Sequence, residues 1–390
     1  MHATAMVQRF LDRHVGSMHG SRRRLLADVV SAVLRGHWIS LSRLGQGLAQ
    51  AISVKSAIKR VDRLVGSARI ALEAQQIGAA LLSCLARMSS TLVIAVDWSA
   101  ASPGGAFVEL RAAVTWLGAG RALPVYQQVY PVQQLGDPQA EKAMLQTLRE
   151  WMPPGVTVIV ITDAGFRRPW FIQVEKLGWA WIGRVRQGVS LSQDRINWMP
   201  VAEWFAKAKT QARRIEQCWL AKKRPMACAM VLYRRARRGR QQWGVQGSPN
   251  QSKAAREARV REREPWLLVH SPQLSDLRAD EIVSLYARRM QIEESFRDSK
   301  SPTFGMGFRI GRSRSAERLQ ALLLIATLAA FMLWHIGQLA EAEGLHRHFR
   351  LTTRVQREIS FITLALHLCA GTGPPLTPAA IQALRQRLSL

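Results

Sequence analysis

Two stretches, Thr91-Leu-Val-Ile-Ala-Val-Asp97 and Val156-Thr-Val-Ile-Val-Ile-Thr-Asp163, decide the fold class. Each is short, β-branched and bounded by polar or turn residues, so each reads as a buried strand. Each ends on an aspartate, which predicts a carboxylate held on a fixed backbone at the tip of a strand. Working outward, the pattern predicts strands over 91–97, 106–116 and 122–132, then a helix over 138–151. A strand over 156–162, a helix over 168–176 and a strand over 178–186 follow. Glycines at 104–105 and 118–120 mark hairpin turns between the first three strands. Three antiparallel strands followed by helix and parallel strand is an α/β order.

A third acidic residue lies in SLYARRMQIEESFRDSKS, residues 284–301. Good helix formers dominate and no Gly or Pro interrupts before Ser301-Pro302, so the segment from about 282 to 300 reads as one helix. At about 100° per residue, Tyr286, Arg289, Glu293, Arg297 and Lys300 share a stripe of roughly 80°. Leu285, Ile292 and Phe296 form an apolar stripe beside it, with Ala287, Gln291, Glu294, Ser295 and Asp298 expected to point away. Charges aligned against a buried edge suit a site for metal and phosphate. A row of i,i+3 and i,i+4 salt bridges is the plainer alternative, and an isolated Asp after a strand is commonplace as a cap or turn residue. Three hard oxygen ligands, Asp97, Asp163 and Glu293, together suit Mg²⁺ or Mn²⁺, with phosphate and water completing the coordination.

The chain has 390 residues, with 55 Lys+Arg against 27 Asp+Glu and a net charge of +28. That excess implies a polyanionic partner, because neutralising phosphate releases counterions. At 48% hydrophobic the chain can bury a sizeable core, which sets it apart from short basic nucleic-acid-packaging proteins. Cys84, Cys218, Cys228 and Cys369 lack CxxC or Cys/His spacing, which disfavours zinc and a disulfide framework and fits a reducing cytoplasm. The N-terminus shows no signal-peptide pattern. The longest apolar run, Ala321–Trp334, is shorter than the ~20 residues needed to span a bilayer, so a buried core helix and no membrane partner are expected.

Asp97 in VDWS, Asp163 in TDAGFRRPW and the Tyr286-x2-Arg289-x3-Glu293-x6-Lys300 spacing resemble the DDE transposases of bacterial cut-and-paste insertion sequences. Among these the likeness is to the Y-R-E-K group, which includes the transposase of the tetracycline-resistance composite transposon. It extends through VEKLGWAWIGRVR (174–186), EPWLLVHS (264–271) and RRMQIEESFRDSKSPTFGMGFR (288–309). The resemblance implies a ribonuclease-H-like catalytic core, a mixed five-stranded sheet with helices, interrupted by a β-rich insertion. It implies two divalent ions per active site, Mg²⁺ with Mn²⁺ as a substitute, on Asp97, Asp163 and Glu293. Tyr286, Arg289 and Lys300 would grip phosphates near the scissile bond; Arg297 joins them by helical phase alone. Trp266 would stack on a nucleotide flipped from the transposon end. The partners implied are double-stranded DNA, both terminal inverted repeats and target, and a second copy of the chain in the DNA complex. The expected location is the bacterial cytoplasm, at the nucleoid. A metal-dependent nuclease that cuts without integrating, or a DNA-binding regulator without catalysis, are the other classes left open.

The organisation expected is a helical DNA-binding domain over 1–70, the first part of the core over 71–186, and a basic β-rich insertion over 187–271. The acidic-helix part of the core over 272–313 and a helical C-terminal region over 314–390 complete it. Ile39–Leu48 followed by Val54–Leu64 resembles a helix-turn-helix. Val54, Ile58, Val61 and Leu64 would face inward, leaving Lys55, Lys59, Arg60 and Arg63 for DNA. In the insertion, strand-like segments at 214–220 and 226–233 lead into RRARRGR, where Arg234, Arg235, Arg237 and Arg238 would meet backbone phosphate. A merely solvated basic loop is the alternative.

Overall fold

The computed structural model describes residues 3–48, 52–186, 188–235, 264–303, 305–350, 353 and 356–389. Two compact units emerge, Met1–Thr157 with Met290–Leu390, and Val158–Arg289. Arg237 and Arg238, expected to bind DNA, lie outside the described residues.

The first unit begins with helices α1 (Ala3–His14), α2 (Gly20–Leu34), α3 (Leu41–Leu48), α4 (Val54–Val65) and α5 (Ile70–Ala86). Strands β1 (Thr91–Ala100), β2 (Phe107–Thr115) and β3 (Leu123–Pro131) and helix α6 (Pro138–Trp151) follow. The second unit comprises β4 (Thr157–Thr162), α7 (Arg168–Lys176), β5 (Ala180–Val185), β6 (Ser190–Ser192), β7 (Met199–Pro200) and α8 (Val201–Ala206), then β8 (Arg213–Leu220), β9 (Met226–Tyr233), β10 (Trp266–His270) and α9 (Ala279–Ala287). The chain then returns to the first unit with α10 (Met290–Lys300), α11 (Ala316–Ala342), α12 (Phe361–Cys369) and α13 (Pro378–Ser389).

Strands β1, β2 and β3 form an antiparallel meander in which Asp97 faces Arg111 and Ser99 faces Glu109. Its turns carry Gly105 at φ +70° and Gly118 at φ +75°, a backbone region that L side chains rarely adopt. Asp137 caps α6 by accepting from the Gln139 N–H at 3.0 Å, and Pro138 fixes the first helical turn. In the second unit β4 and β5 run parallel, joined through α7. The succession of three antiparallel strands, helix, strand, helix and parallel strand gives the ribonuclease-H-like α/β fold.

One expectation needs correction here. The sheet does not stop at five strands: β10 pairs antiparallel with β5, and β9, β8, β6 and β7 continue outward from it. The inserted segment therefore extends the sheet, covering the edge that β5 would otherwise leave open. Helix α11 runs 27 residues, longer than the apolar run alone, and by length and composition it passes for a membrane span. Its apolar window is nevertheless wholly buried within the protein.

Helices α3 and α4 pack together, and the Ser53 hydroxyl caps α4 by accepting from the Ser56 N–H at 3.3 Å. The buried face of α4 is Ala57, Val61, Leu64 and Val65. Val54, expected to point inward, is 46% exposed because it occupies the first turn, before the helix reaches its neighbours. Lys55, Lys59, Arg60 and Arg63 are all exposed on the opposite face. The close approach of the two helices depends on Gly45: a Cβ there would lie 2.4 Å from Ile58 Cγ1 and 2.8 Å from its Cα and backbone N. Gly45→Ala is expected to destabilise the protein by about 1–3 kcal/mol, since backbone must shift to admit the methyl group. Gly104→Ala, with open space around its Cβ, should leave stability nearly unchanged. Thermal unfolding of the two variants beside wild type checks the contrast.

Candidate active site

In the first unit, Asp97 sits on β1, which continues to Ala100 rather than ending at the aspartate. Asp97 is half-buried, and its Oδ1 accepts from the Trp98 N–H at 2.9 Å. Strand alternation puts Ser99 on the same face as Asp97 and Trp98 on the other. There the Trp98 indole N–H donates to Glu141 on α6 at 3.1 Å, and its ring lies 5.5 Å from that of Tyr130. Burial pushes the Glu141 carboxyl up to about 7, against the opposing pull of that hydrogen bond.

The single helix expected over 282–300 is in fact two, α9 and α10, with a turn at Arg288 and Arg289. The stripe of Tyr286, Arg289, Glu293, Arg297 and Lys300 is thereby divided: the first two residues belong to the second unit and the last three to the first. Within α10, Glu293 and Arg297 are exposed, and Arg297 pairs with Glu294. Lys300 is buried, its ammonium 2.7 Å from Glu109 Oε1 and donating to the Ser99 hydroxyl at 2.8 Å. Burial pulls Lys300 down to about 8, while the Glu109 carboxylate works the other way.

The side of α10 expected to face solvent is docked instead. The Gln291 amide pairs with the backbone of Trp116, accepting from its N–H at 3.1 Å and donating to its carbonyl at 2.7 Å. Ser295 and Asp298 are buried; Arg121 binds Asp298 at 2.5 Å and Glu294 at 3.4 Å. Burial pushes Asp298 up to about 6 although Arg121 opposes it. The reversal has a local cause. Strand β2 is buried along nearly its whole length yet carries Glu109 and Arg111 inside, so the helix covering it needs polar groups there. The face bearing Glu293 thus lies on a helix that packs across β1, the strand of Asp97.

In the second unit, Asp163 directly follows β4 and is half-buried; its Oδ1 accepts from the Gly165 N–H at 2.8 Å, which fixes the carboxylate in a tight turn. A cavity of about 530 Å³ opens beside it, lined by Phe166, Arg167, Arg168, Arg184 and Arg186 among others. Glu264 binds Arg184 at 3.0 Å and Arg186 at 3.1 Å. Trp266 begins β10 half-buried, its ring edge-on to Tyr286 at 5.1 Å and to Tyr233 at 5.9 Å. Tyr286 is buried; burial raises its phenol, with Arg289 and Arg184 pulling it back. Arg234 and Arg235 are both exposed, but Arg234 also serves the fold, donating to the carbonyls of Ala208 at 3.2 Å and Phe205 at 3.0 Å.

Among the described residues no three or more His, Cys, Asp or Glu side chains stand grouped to hold a metal ion. The donor chemistry nonetheless fits a hard divalent cation: Asp97 and Asp163 are carboxylates oriented by backbone N–H groups, and Glu293 is an exposed one. Sequence reasoning missed Glu109, Arg111, Arg121 and Glu141. The signal for the first two was two charges at alternate positions in the otherwise apolar FVELRAAV, residues 107–114.

A family model described as the transposase DDE domain matches residues 93–332, a span that contains Asp97, Asp163 and Glu293. No curated protein sequence matches the chain. Among solved structures, the cryo-EM structure of a piggyBac transposase synaptic complex with hairpin DNA is similar at a TM-score of 0.44 and 9% identity. The alignment covers 100% of this chain and 82% of that one.

Glu141 supplies a pH test of the site's support. Because the folded carboxyl holds its proton to about pH 7 against 4.5 for the free group, its contribution to stability is full below pH 4.5 and lost as pH rises through 7. Glu141→Gln keeps an acceptor for Trp98 without a charge to bury. The variant should match wild type at pH 4.5 and gain roughly 1–2 kcal/mol at pH 8, after discounting for water access. Unfolding curves at the two pH values measure the difference.

Proposed function

Since this chain belongs to the family of transposases with a DDE domain, we propose that it cuts an insertion sequence out of DNA at terminal inverted repeats and joins it to a target. The observation that carries this reading is the docking of α10, which sets Glu293 on an exposed face of a helix crossing the strand of Asp97. Membership makes the chain an enzyme of DNA transposition that works with divalent metal. The finer assignment is to the Y-R-E-K group, on the spacing of Tyr286, Arg289, Glu293 and Lys300.

Asp97, Asp163 and Glu293 would hold the ions, two per active site, Mg²⁺ with Mn²⁺ able to substitute. When bound, these supply activation of water or a 3′-hydroxyl and stabilisation of the leaving oxygen. The chain's own residues do the rest. Arg297, which is exposed, and Arg289, which is half-buried, would grip phosphates near the scissile bond. Tyr286 and Lys300, buried in the structure, act by supporting Arg289 and α10. Trp266, with one part of its surface open, would take a nucleotide displaced from the transposon end, offsetting roughly 1–3 kcal/mol of unstacking. Hairpin formation on that end, a homodimer bridging two ends, and a place at the bacterial nucleoid in the cytoplasm complete the proposal.

Asp97→Asn, Asp163→Asn and Glu293→Gln should each abolish cleavage of end DNA while binding falls by less than about threefold, because affinity comes from distributed phosphate contacts. Gel shifts and denaturing gels on the same preparations test this, and the latter also reveal hairpin products. Full activity in any one variant removes that residue from the site.

Sequence preference should reside in the exposed face of α4. Changing Lys55, Lys59, Arg60 and Arg63 to Ala is expected to lower the preference for end DNA over random DNA by at least about tenfold, as base-edge contacts are lost. Neutralising Arg235, Arg237 and Arg238 should weaken both DNAs alike and flatten the salt dependence. Titrations of both DNAs at several salt concentrations separate the two; an α4 variant with its preference intact would place recognition elsewhere.

A further inference from the structure

The Arg111 guanidinium is fully buried and makes four contacts inside the first unit. It donates to Glu109 Oε2 at 3.1 Å, to the Ser295 hydroxyl at 3.0 Å and to the Ser299 hydroxyl at 3.3 Å. It also lies over the Phe296 ring at 4.1 Å, with the Lys300 ammonium 4.3 Å from the same ring. Glu109 receives Arg111, Lys300 and the Gln127 amide, so two cations and one anion share a dry cluster between β2 and α10. Burial lowers Arg111, with Glu109, Asp298 and Asp97 sustaining its charge; Arg111 and Lys300 outweigh burial at Glu109 and hold it below the usual carboxylate range.

Stability alone does not account for such a cluster, since apolar side chains of similar volume generally fill such a place at no loss. What hydrogen-bonded ions add is geometric restriction. An apolar face lets a helix slide, whereas Arg111 bonded to Ser295 and Ser299 fixes α10 along its axis and Lys300 bonded to Ser99 and Glu109 fixes its end. Arg111 sits opposite Asp97 in the β1–β2 register, and Glu293 lies two residues before Ser295. We propose that Arg111 and Glu109 are positioning residues for DNA cleavage: the cluster they form with Lys300 locks α10 across β1 and β2 and so sets Glu293 in its working place relative to Asp97. This rests on the reading of Asp97 and Glu293 as metal ligands.

The test uses full-length protein with Arg111→Lys, which keeps the charge but replaces the planar fork that spans three separate acceptors with a compact ammonium, and the Ser295→Ala/Ser299→Ala double variant. Melting temperature, binding of end-sequence duplex, single-turnover cleavage and Mn²⁺ binding followed by electron paramagnetic resonance without DNA are measured on each. Folding and duplex affinity should be retained within about twofold while cleavage falls roughly 100-fold, the scale of a 1 Å misplacement. Half-saturating Mn²⁺ should rise about tenfold, as when a supporting partner of a ligand is lost. Cleavage and Mn²⁺ binding at wild-type levels overturn the proposal; so do losses that track a lower melting temperature with Mn²⁺ half-saturation unmoved. If Arg111→Lys does not fold, the double serine variant decides on the same readouts. Asp97→Asn run in parallel distinguishes the two levels: if it leaves cleavage and Mn²⁺ binding intact, the metal-ligand reading itself fails. If it abolishes both while Arg111→Lys does not, only the positioning role falls.

Discussion

The packing of a polar helix face onto a buried strand is the constraint from which the rest of the first unit follows. Strand β2 places Glu109 and Arg111 inside, and unpaired charge in a low-dielectric interior is too costly to persist. The helix over it must therefore offer hydroxyls and an ammonium at matching places, which Ser295, Ser299 and Lys300 do, while Asp298 takes Arg121 from beyond the end of the strand. Gln291 adds a two-point pairing with the backbone of Trp116 at the other end. Once these are satisfied, the side of α10 opposite Ser295 and Asp298 is left to solvent; Glu293 and Arg297 are exposed on it, and only Lys300, in the last turn, reaches back from that stripe into the cluster. The exposed carboxylate is thus a consequence of the buried ones.

Charge is sorted as strictly elsewhere. Of the basic excess, Arg234 is spent on carbonyls and Arg184 and Arg186 on Glu264, so these serve the fold first. The exposed cations of α4 carry no such obligation to the sheet, standing on a helix whose other side is pinned by Gly45 against α3. Asp62 on that helix reaches Arg318 of α11 at 2.5 Å, which ties the N-terminal helices to the buried central one. A basic surface held on so rigid a support presents its charges at fixed spacing.

Strands and helices between 91 and 186 were legible because burial there follows simple periods: β-branched runs ended by polar residues, and an Asp–Pro start to α6. The edges were less so. Strand β1 outruns Asp97 because the antiparallel partner β2 continues to pair through Ser99 and Ala100, and pairing is invisible in one strand's composition. The break at Arg288–Arg289 carries neither Gly nor Pro, so helix propensity alone runs straight through it. The reversed faces of α10 were illegible for a different reason. Hydrophobic periodicity assumes an apolar core, and here the helix answers charges roughly 180 residues earlier in the chain. The acidic candidates themselves needed only local reading, since each lies on or directly after a regular element; their roles rest on family likeness.

That separation has a kinetic consequence. The first unit is assembled from residues 1–157 and 290–390, with the whole second unit made in between. Contacts across so long a separation form slowly, although the added closure entropy grows only slowly with length. On a ribosome, β2 emerges long before the serines and lysine that its inner charges require, and the Asp97 strand long before Glu293. A chain released early, or cleaved before residue 290, holds two of the acidic residues but lacks the third and the helix that carries it. The two acidic residues of the early chain thus wait for the late segment 290–300 before all three can be present in one molecule.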